Sequence, residues 1–519
     1  MSATLQNLPI GIQDFESLRN DGYLYVDKTK EIWNLTHTGR YYFLSRPRRF
    51  GKSLLISTIK AYYEGKKDLF EGLYIASQEK EWKSHPIMHL DLNTQQYDCK
   101  EALEFILDTF LSEQERKYDL PHIEGNYGQR FQKLIFTAHE KTGSRVVILV
   151  DEYDKPLLQA IGNPDLQEQY RGILKGFYGA LKSADGSIQF AMLTGVTKFG
   201  KVSVFSDLNN LKDISMDARY SSICGITEKE LLENFHSYID NLAGNCGLSR
   251  EECLSTLRSR YDGYHFHPSS EGMYNPFSVL NTFDSLELGS YWFETGTPTY
   301  LVHLLQRCEY HLENLATADV EADVINCIDV ASYNPNPVFY QSGYLTIKSY
   351  DERFGVYTLG FPNKEVEEGF VKYLLPWYTN RMKGDTSVFD IRKFIYDVES
   401  GRTSEFLCRL RSLFADTPYE LIRNLENHYQ NVLWILYKLC GFYSQAEYHT
   451  SEGRIDLCVQ TPLYCYVMEF KLDGSAEEAL AQISDKSYAL PFETGERKVV
   501  RIGLNFSKAT RNIERWVIG

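Results

Sequence analysis

Gly51-Lys52-Ser53 closes the stretch FLSRPRRFGKSLL (Phe43 to Leu55) with the spacing of a phosphate-binding loop. In such a loop the backbone N–H groups at the start of the following helix face phosphate oxygens. The Lys52 ammonium neutralises the β- and γ-phosphates, and the Ser53 hydroxyl binds Mg²⁺. Arg49, Gly51 and Leu54 are the neighbouring positions expected to contact the nucleotide. Arg46 stands where the loop ordinarily has its first glycine. Taken alone, the motif is therefore balanced against a basic helix start on a solvated surface. If the loop is real, Arg46, Arg48 and Arg49 are expected beside the phosphates, because such a cluster is costly without anions nearby.

A second stretch shifts that balance. RVVILVDEYDKP (Arg145 to Pro156) puts Asp151 and Glu152 at the C-terminal end of an almost wholly apolar run, where a parallel sheet presents its ligand crevice. Asp151 is expected to hold the Mg²⁺ shell and Glu152 to polarise the attacking water. Thr194, which falls in IQFAMLTGV, is placed to sense the γ-phosphate, although a Thr there is ordinarily a turn residue. Both carboxylates and the GKS turn in one α/β region favour a nucleoside triphosphate site over a surface acidic turn.

Different chemistry is written near the C-terminus, in GRIDLCVQTPLYCYVMEFKL. If Thr461 to Tyr464 form a four-residue loop, Gln460 pairs with Cys465 and Asp456 falls opposite Glu469. Lys471, two residues on, shares their face. Two opposed carboxylates repel unless a divalent cation sits between them or one takes a proton. Mg²⁺ prefers such oxygen ligands, with the Phe470 carbonyl a further donor, and Lys471 would orient or deprotonate water. The plainer reading is a solvent-facing ladder of charged pairs. Flanking helices favour the former: ENHYQNVLWILYKLCG can deliver Glu426 as a third acid, with Glu447 a rival. SAEEALAQISDKSY has Ser475 and Glu478 as a capping box and Gln482 and Lys486 on one face.

The elements that must position these groups are legible as a pattern. Tyr41–Ser45, Ile87–Leu92, Arg145–Asp151 and Ile188–Val196 are short apolar runs separated by helical spacing, which predicts an α/β fold with a parallel sheet covered on both faces. The expected division is a phosphate-binding domain over 1–220, a helical lid and small mixed module over 221–389, and an α/β domain over 390–519. Thr227 and Glu230 form a second capping box, and Tyr340–Asn363 reads as a hairpin turning at Asp351–Gly355. In the last domain a helical part leads to GRIDLCVQ and YCYVMEFKL as two strands, then one more helix.

With 519 residues, 43% hydrophobic, the chain has ample material for several cores. A net charge of −15 argues against passive coating of nucleic acid by a basic surface and leaves a local basic cleft open. The 10 cysteines are scattered singly, without CxxC pairs, as reduced thiols in a cytosolic protein would be. His85 with His89 and His265 with His267 lack the partners of a metal site and read as structural. No apolar run is long enough to span a bilayer, so a cytoplasmic, soluble protein is expected, with no membrane partner.

Together RPRRFGKSLL, YLYVDKT, VDEYDKP, YDGYHF, YNPFSVL and GYLTI resemble the AAA-ATPase-like family of bacterial proteins, in which an arginine replaces the first loop glycine. The resemblance covers nearly the whole chain. It implies that Lys52, Ser53, Asp151 and Glu152 bind and hydrolyse ATP. The order of helix Glu, Asp, ExK and helix Gln is similar to the PD-(D/E)XK nuclease superfamily, with Ile455 where the superfamily name has proline. That similarity implies an active site of Glu426, Asp456, Glu469 and Lys471 supported by Gln482. The expected function is an ATP-gated, Mg²⁺-dependent phosphodiester hydrolase on nucleic acid, DNA ahead of RNA, with a homo-oligomer also considered. The alternative is an ATP-switched docking module that does not cut.

Overall fold

The computed structural model describes residues 5–121, 125–198, 204–205, 208, 210–295, 299–326, 334–379, 391–415, 425–439, 441, 443–445, 448–450 and 453–519. The chain forms two compact units, one of residues 1–295 and 319–365, the other of residues 296–318 and 366–519.

In the first unit the expected strands form β1 (Tyr41–Ser45), β2 (Ile87–Asp91), β3 (Val146–Asp151) and β4 (Ile188–Gly195), and a short β5 (Lys212–Asp213) completes the sheet. All described pairings are parallel, and the order is β2-β3-β4-β1-β5. Every residue of β1 and β3 is buried, as strands covered on both faces must be. Because β4 runs between β1 and β3, their C-terminal ends lie side by side: Ser45 pairs with Gly195, and Val150 with Leu193. The GKS turn at the end of β1 opens helix α1 (Lys52–Tyr63).

The middle of the chain is helical, as expected. Helices Glu228–Asn234, His236–Cys246 and Arg250–Tyr261 share a core of Leu231, Phe235, Ile239, Leu257 and Phe283. The box at Thr227 is formed in full, with Glu230 N–H donating to Thr227 Oγ1 and the Thr227 N–H to the Glu230 carboxylate. A small sheet of order β6-β8-β7 follows, from β6 (Ala318–Glu321), β7 (Thr346–Asp351) and β8 (Val356–Gly360). Its hairpin pairs Asp351 with Val356, as the sequence predicts.

The second unit holds β9 (Tyr443–Gln445), β10 (Tyr448–Thr450), β11 (Gly453–Ile455), β12 (Leu457–Gln460), β13 (Tyr464–Leu472), β14 (Lys498–Ser507) and β15 (Asn512–Ile518). The main sheet has the order β15-β14-β13-β12-β9, while β10 and β11 pair separately. Two expectations fail here. GRIDLCVQ is not one strand; it bends at Asp456. The chain also does not end on a helix, since β14 and β15 extend the sheet. β14 carries a glycine, Gly503, in mid-strand, and the helix α3 (Ala476–Asp485) explains why. A Cβ at Gly503 would lie 2.1 Å from the Ala476 carbonyl oxygen and 2.6 Å from Leu480 N, so the crossover helix lies flat on the sheet only over a glycine. On α2 (Leu425–Leu439), the Tyr429 ring stacks on Phe506 of β14 at 4.2 Å.

Candidate active sites

At the end of β1 the loop bends through two left-handed residues, Arg49 at φ 67° and Gly51 at φ 93°, so that α1 begins at Lys52. Ser53 Oγ donates to Asp151 Oδ2 at 2.6 Å, and Thr194 Oγ1 donates to Asp151 Oδ1 at 2.5 Å. One carboxylate thus meets the ends of β1's loop and of β4. Lys52 is buried; its ammonium donates to the Arg46 and Pro47 carbonyls at 3.1 and 3.3 Å and lies 3.3 Å from Glu152 Oε1. Glu152 itself is left-handed, φ 54°, a conformation that a non-glycine residue adopts at some energetic cost and that aims its carboxylate at Lys52. The GKS turn, Asp151, Glu152 and Thr194 therefore meet at one end of the sheet. Leu54 lies one residue on, and the Arg49 guanidinium lies over the Phe277 ring at 4.8 Å.

Arg46 departs from expectation. Its guanidinium is buried, donating to the carbonyls of Ser45, Ser215 and Tyr220 and stacking on Phe266 at 3.9 Å. Three carbonyls and an aromatic face replace the anions that a cluster of arginines would otherwise demand. In place of a glycine the chain has a long side chain that staples the loop to the segment after β5.

In the second unit the register Gln460 with Cys465 forms as read and runs as far as Leu457 with Met468, while Asp456, expected opposite Glu469, lies at the bend just beyond the paired residues. At its bend Asp456 turns so that Oδ2 accepts from Phe470 N–H at 2.8 Å. Glu469 is 3% exposed, and burial, then the neighbouring Asp456 charge, push its carboxyl up to about 7. Gln482 on α3 bridges the pair beside it: its Nε2 donates to Glu469 Oε1 and its Oε1 accepts from Lys471 Nζ at 2.5 Å. Lys471 Nζ lies 3.5 Å from Glu469 Oε1. Asp456, Glu469, Lys471 and Gln482 are thus brought together. The side chain of Glu426, on α2, and Glu447 lie outside the described residues. Glu469 Oε2 is buried with no hydrogen-bond donor, a carboxylate oxygen that a cation would satisfy. The donor set, two carboxylates with hard oxygens, suits Mg²⁺, and so does the Ser53 hydroxyl beside Asp151.

Residues 9–205 match the family model described as Predicted AAA-ATPase, and residues 424–516 match the PD-(D/E)XK nuclease superfamily. A protein of Azotobacter chroococcum mcd 1, described as "Uncharacterized protein in vnfD 5'region", is 35% identical over 525 residues, spanning 99% of each chain. The chain belongs to the AAA-ATPase-like proteins with a C-terminal PD-(D/E)XK nuclease superfamily domain. In this AAA-ATPase-like protein the structure adds two features that the motifs alone did not disclose. Asp154 is fully buried and accepts from the N–H groups of Val196 and Thr197 and from Thr197 Oγ1, which ties the turn after β3 to the turn after β4. Burial and the neighbouring Glu152 raise its carboxyl to about 6. The spacing in DEYDKP was the available signal. The second feature is an apolar cavity beside Gly51 and Leu54, lined by Val26, Phe50, Ile226, Pro276 and Leu280 among others. Its walls come from segments distant in sequence, so no motif announces it. Among the described residues no helix of this AAA-ATPase-like protein is long and apolar enough to cross a membrane.

Proposed function

We propose that the protein binds and hydrolyses ATP in the first unit and cleaves phosphodiester bonds of nucleic acid in the second, cleavage being gated by ATP. The observation that carries the nuclease reading is the buried Glu469 carboxylate, flanked by Asp456, Lys471 and Gln482, with one oxygen lacking a donor. Asp456 and Glu469 in one unit, and Ser53 and Asp151 in the other, would hold Mg²⁺, which would supply positive charge toward phosphate oxygens and lower the pKa of nearby water.

The chain's own groups do the rest. Lys52 exchanges the Arg46 and Pro47 carbonyls for the β- and γ-phosphates, and the first N–H groups of α1 receive phosphate oxygens. Glu152, released from Lys52, accepts a proton from the attacking water, and Thr194 reports the γ-phosphate to Asp151. The apolar cavity takes the base. In the second unit Gln482 holds Lys471 and Glu469 in fixed relation, so that the Lys471 ammonium orients water toward the scissile phosphate. DNA is the preferred substrate in this reading, and magnesium the physiological ion.

Purified protein incubated with labelled single- and double-stranded DNA and RNA, Mg²⁺ or Mn²⁺, with and without ATP, tests the proposal beside Lys52→Ala and Glu469→Ala. Cleavage that needs ATP and disappears in both variants is the expected result. Loss only in Glu469→Ala means a nuclease independent of ATP. If no substrate is cut under any condition, the unit docks nucleic acid or protein instead.

A further inference from the structure

The front of the phosphate loop is held from a distance. Trp292 Nε1 donates to the Arg48 carbonyl at 3.3 Å, and the Trp292 ring packs against Tyr344 at 5.0 Å between centroids. Beside it, Gly343 approaches Pro47 so closely that a Cβ would lie 2.6 Å from the proline Cβ, and its φ of +87° also demands glycine. Trp292 is fixed in turn. Its own N–H donates to Glu365 Oε1 at 2.9 Å, and Tyr291 N–H donates to the same oxygen at 2.6 Å. Ser278 Oγ donates to Glu365 Oε2 at 2.7 Å. Glu365 is 1% exposed, so this carboxylate is a buried, multiply bonded pin.

Both residues stand where the chain changes unit. Trp292 opens the turn Trp292–Thr295, after which residues 296–318 belong to the second unit. Glu365 is the last residue before the chain leaves the first unit again, early in the helix Lys364–Thr379. A hydrogen-bonded series therefore runs from the Arg48 carbonyl through Trp292 to Glu365 and ends on two departures of the backbone.

We propose that Trp292 and Glu365 are positioning residues that set the front of the phosphate loop and carry nucleotide occupancy of that loop to the two segments leading into the second unit. The inference rests on the ATP-binding reading above. When phosphates draw Lys52 off the Arg46 and Pro47 carbonyls, the loop backbone adjusts, and the Arg48 carbonyl is the point at which that adjustment meets Trp292. Trp292→Phe keeps an aromatic ring, smaller than the indole, and removes the donor. Glu365→Gln keeps an oxygen that accepts from Tyr291 and Trp292, whereas Glu365→Ala removes it.

Hydrogen–deuterium exchange of the full chain with and without MgATP, combined with calorimetric binding of MgATP, tests this. In the wild type, MgATP is expected to slow exchange both in residues 50–54 and in residues 291–295 and 364–370. Trp292→Phe is expected to weaken MgATP binding by roughly 3- to 10-fold, the scale of one lost hydrogen bond. It is also expected to abolish the change at 364–370 at saturating MgATP while that at 50–54 persists. Glu365→Gln should retain the distant change that Glu365→Ala loses. A wild type that binds no MgATP overturns the ATP-binding reading itself. A wild type that binds, protects 50–54 and leaves 364–370 unaltered overturns the relay alone, as does an unaltered response in Trp292→Phe.

Discussion

Asp151 accepts from Ser53 Oγ at 2.6 Å and from Thr194 Oγ1 at 2.5 Å, one hydroxyl on each carboxylate oxygen. Thr194 comes from β4, the strand beside β3, and Ser53 from the turn after β1, one strand further along the sheet. A hydroxyl and a carboxylate so placed form a ready pair of hard oxygens, and several consequences can be measured.

Ser53→Ala removes one oxygen of that pair. Affinity for ATP in the presence of Mg²⁺ is expected to fall about tenfold or more, the scale of losing an oriented metal contact, while metal-free ATP binding changes little. Calorimetry with and without MgCl₂ checks this; equal loss in both conditions would give Ser53 no role toward the ion.

Glu152→Gln keeps the side chain's size and removes its basicity. ATP hydrolysis is expected to drop roughly 10²- to 10⁴-fold with MgATP affinity nearly unchanged. Phosphate release beside equilibrium binding separates the two quantities, and an equal fall in both would make Glu152 a binding group through its contact with Lys52.

Glu469 supplies the pH dependence. Its carboxyl is raised from 4.5 to about 7, so the native state keeps a proton that the unfolded chain has already lost. Its stabilising contribution is full below about 4.5 and is lost as pH rises to about 7. Metal-free Glu469→Gln is therefore expected to melt higher than the wild type at pH 8 and to lack this dependence. Mn²⁺ binding to the wild type should weaken by about tenfold per pH unit below pH 7, since a proton competes for the same oxygens. Thermal melts at a series of pH values, with and without Mn²⁺, decide both.

Arg46→Gly, which restores the usual loop glycine, is expected to harm the protein. It strands the Ser215 and Tyr220 carbonyls and empties the space over Phe266. Each stranded buried acceptor costs about 1–3 kcal/mol, and the melting temperature should drop without any gain in ATP affinity. A variant as stable as the wild type would deny Arg46 its stapling role.

Gly503→Ala sets a methyl against the backbone of α3, at distances no side-chain adjustment relieves. Loss of about 1–3 kcal/mol is expected, read by chemical denaturation. Because Gln482 rides on the same helix, cleavage should fall further than stability alone explains.

Short-range features were legible in the sequence for local reasons. The apolar runs Tyr41–Ser45 and Val146–Asp151 announce buried strands because parallel strands are covered on both faces. A four-residue loop sets the pairing of Gln460 with Cys465, and the boxes at Thr227 and Ser475 start their helices from contacts three residues apart. Arg46, Asp154, Gly503 and the apolar cavity were decided only by tertiary structure. Arg46 donates to carbonyls near residue 215, Asp154 accepts from N–H groups near 196, and Gly503 is required by a helix carbonyl at 476. Periodicity and spacing report which face of an element is apolar. Partners far along the chain are chosen when sheets order their strands and helices settle on them, and only then do a buried charge or a missing side chain acquire a reason.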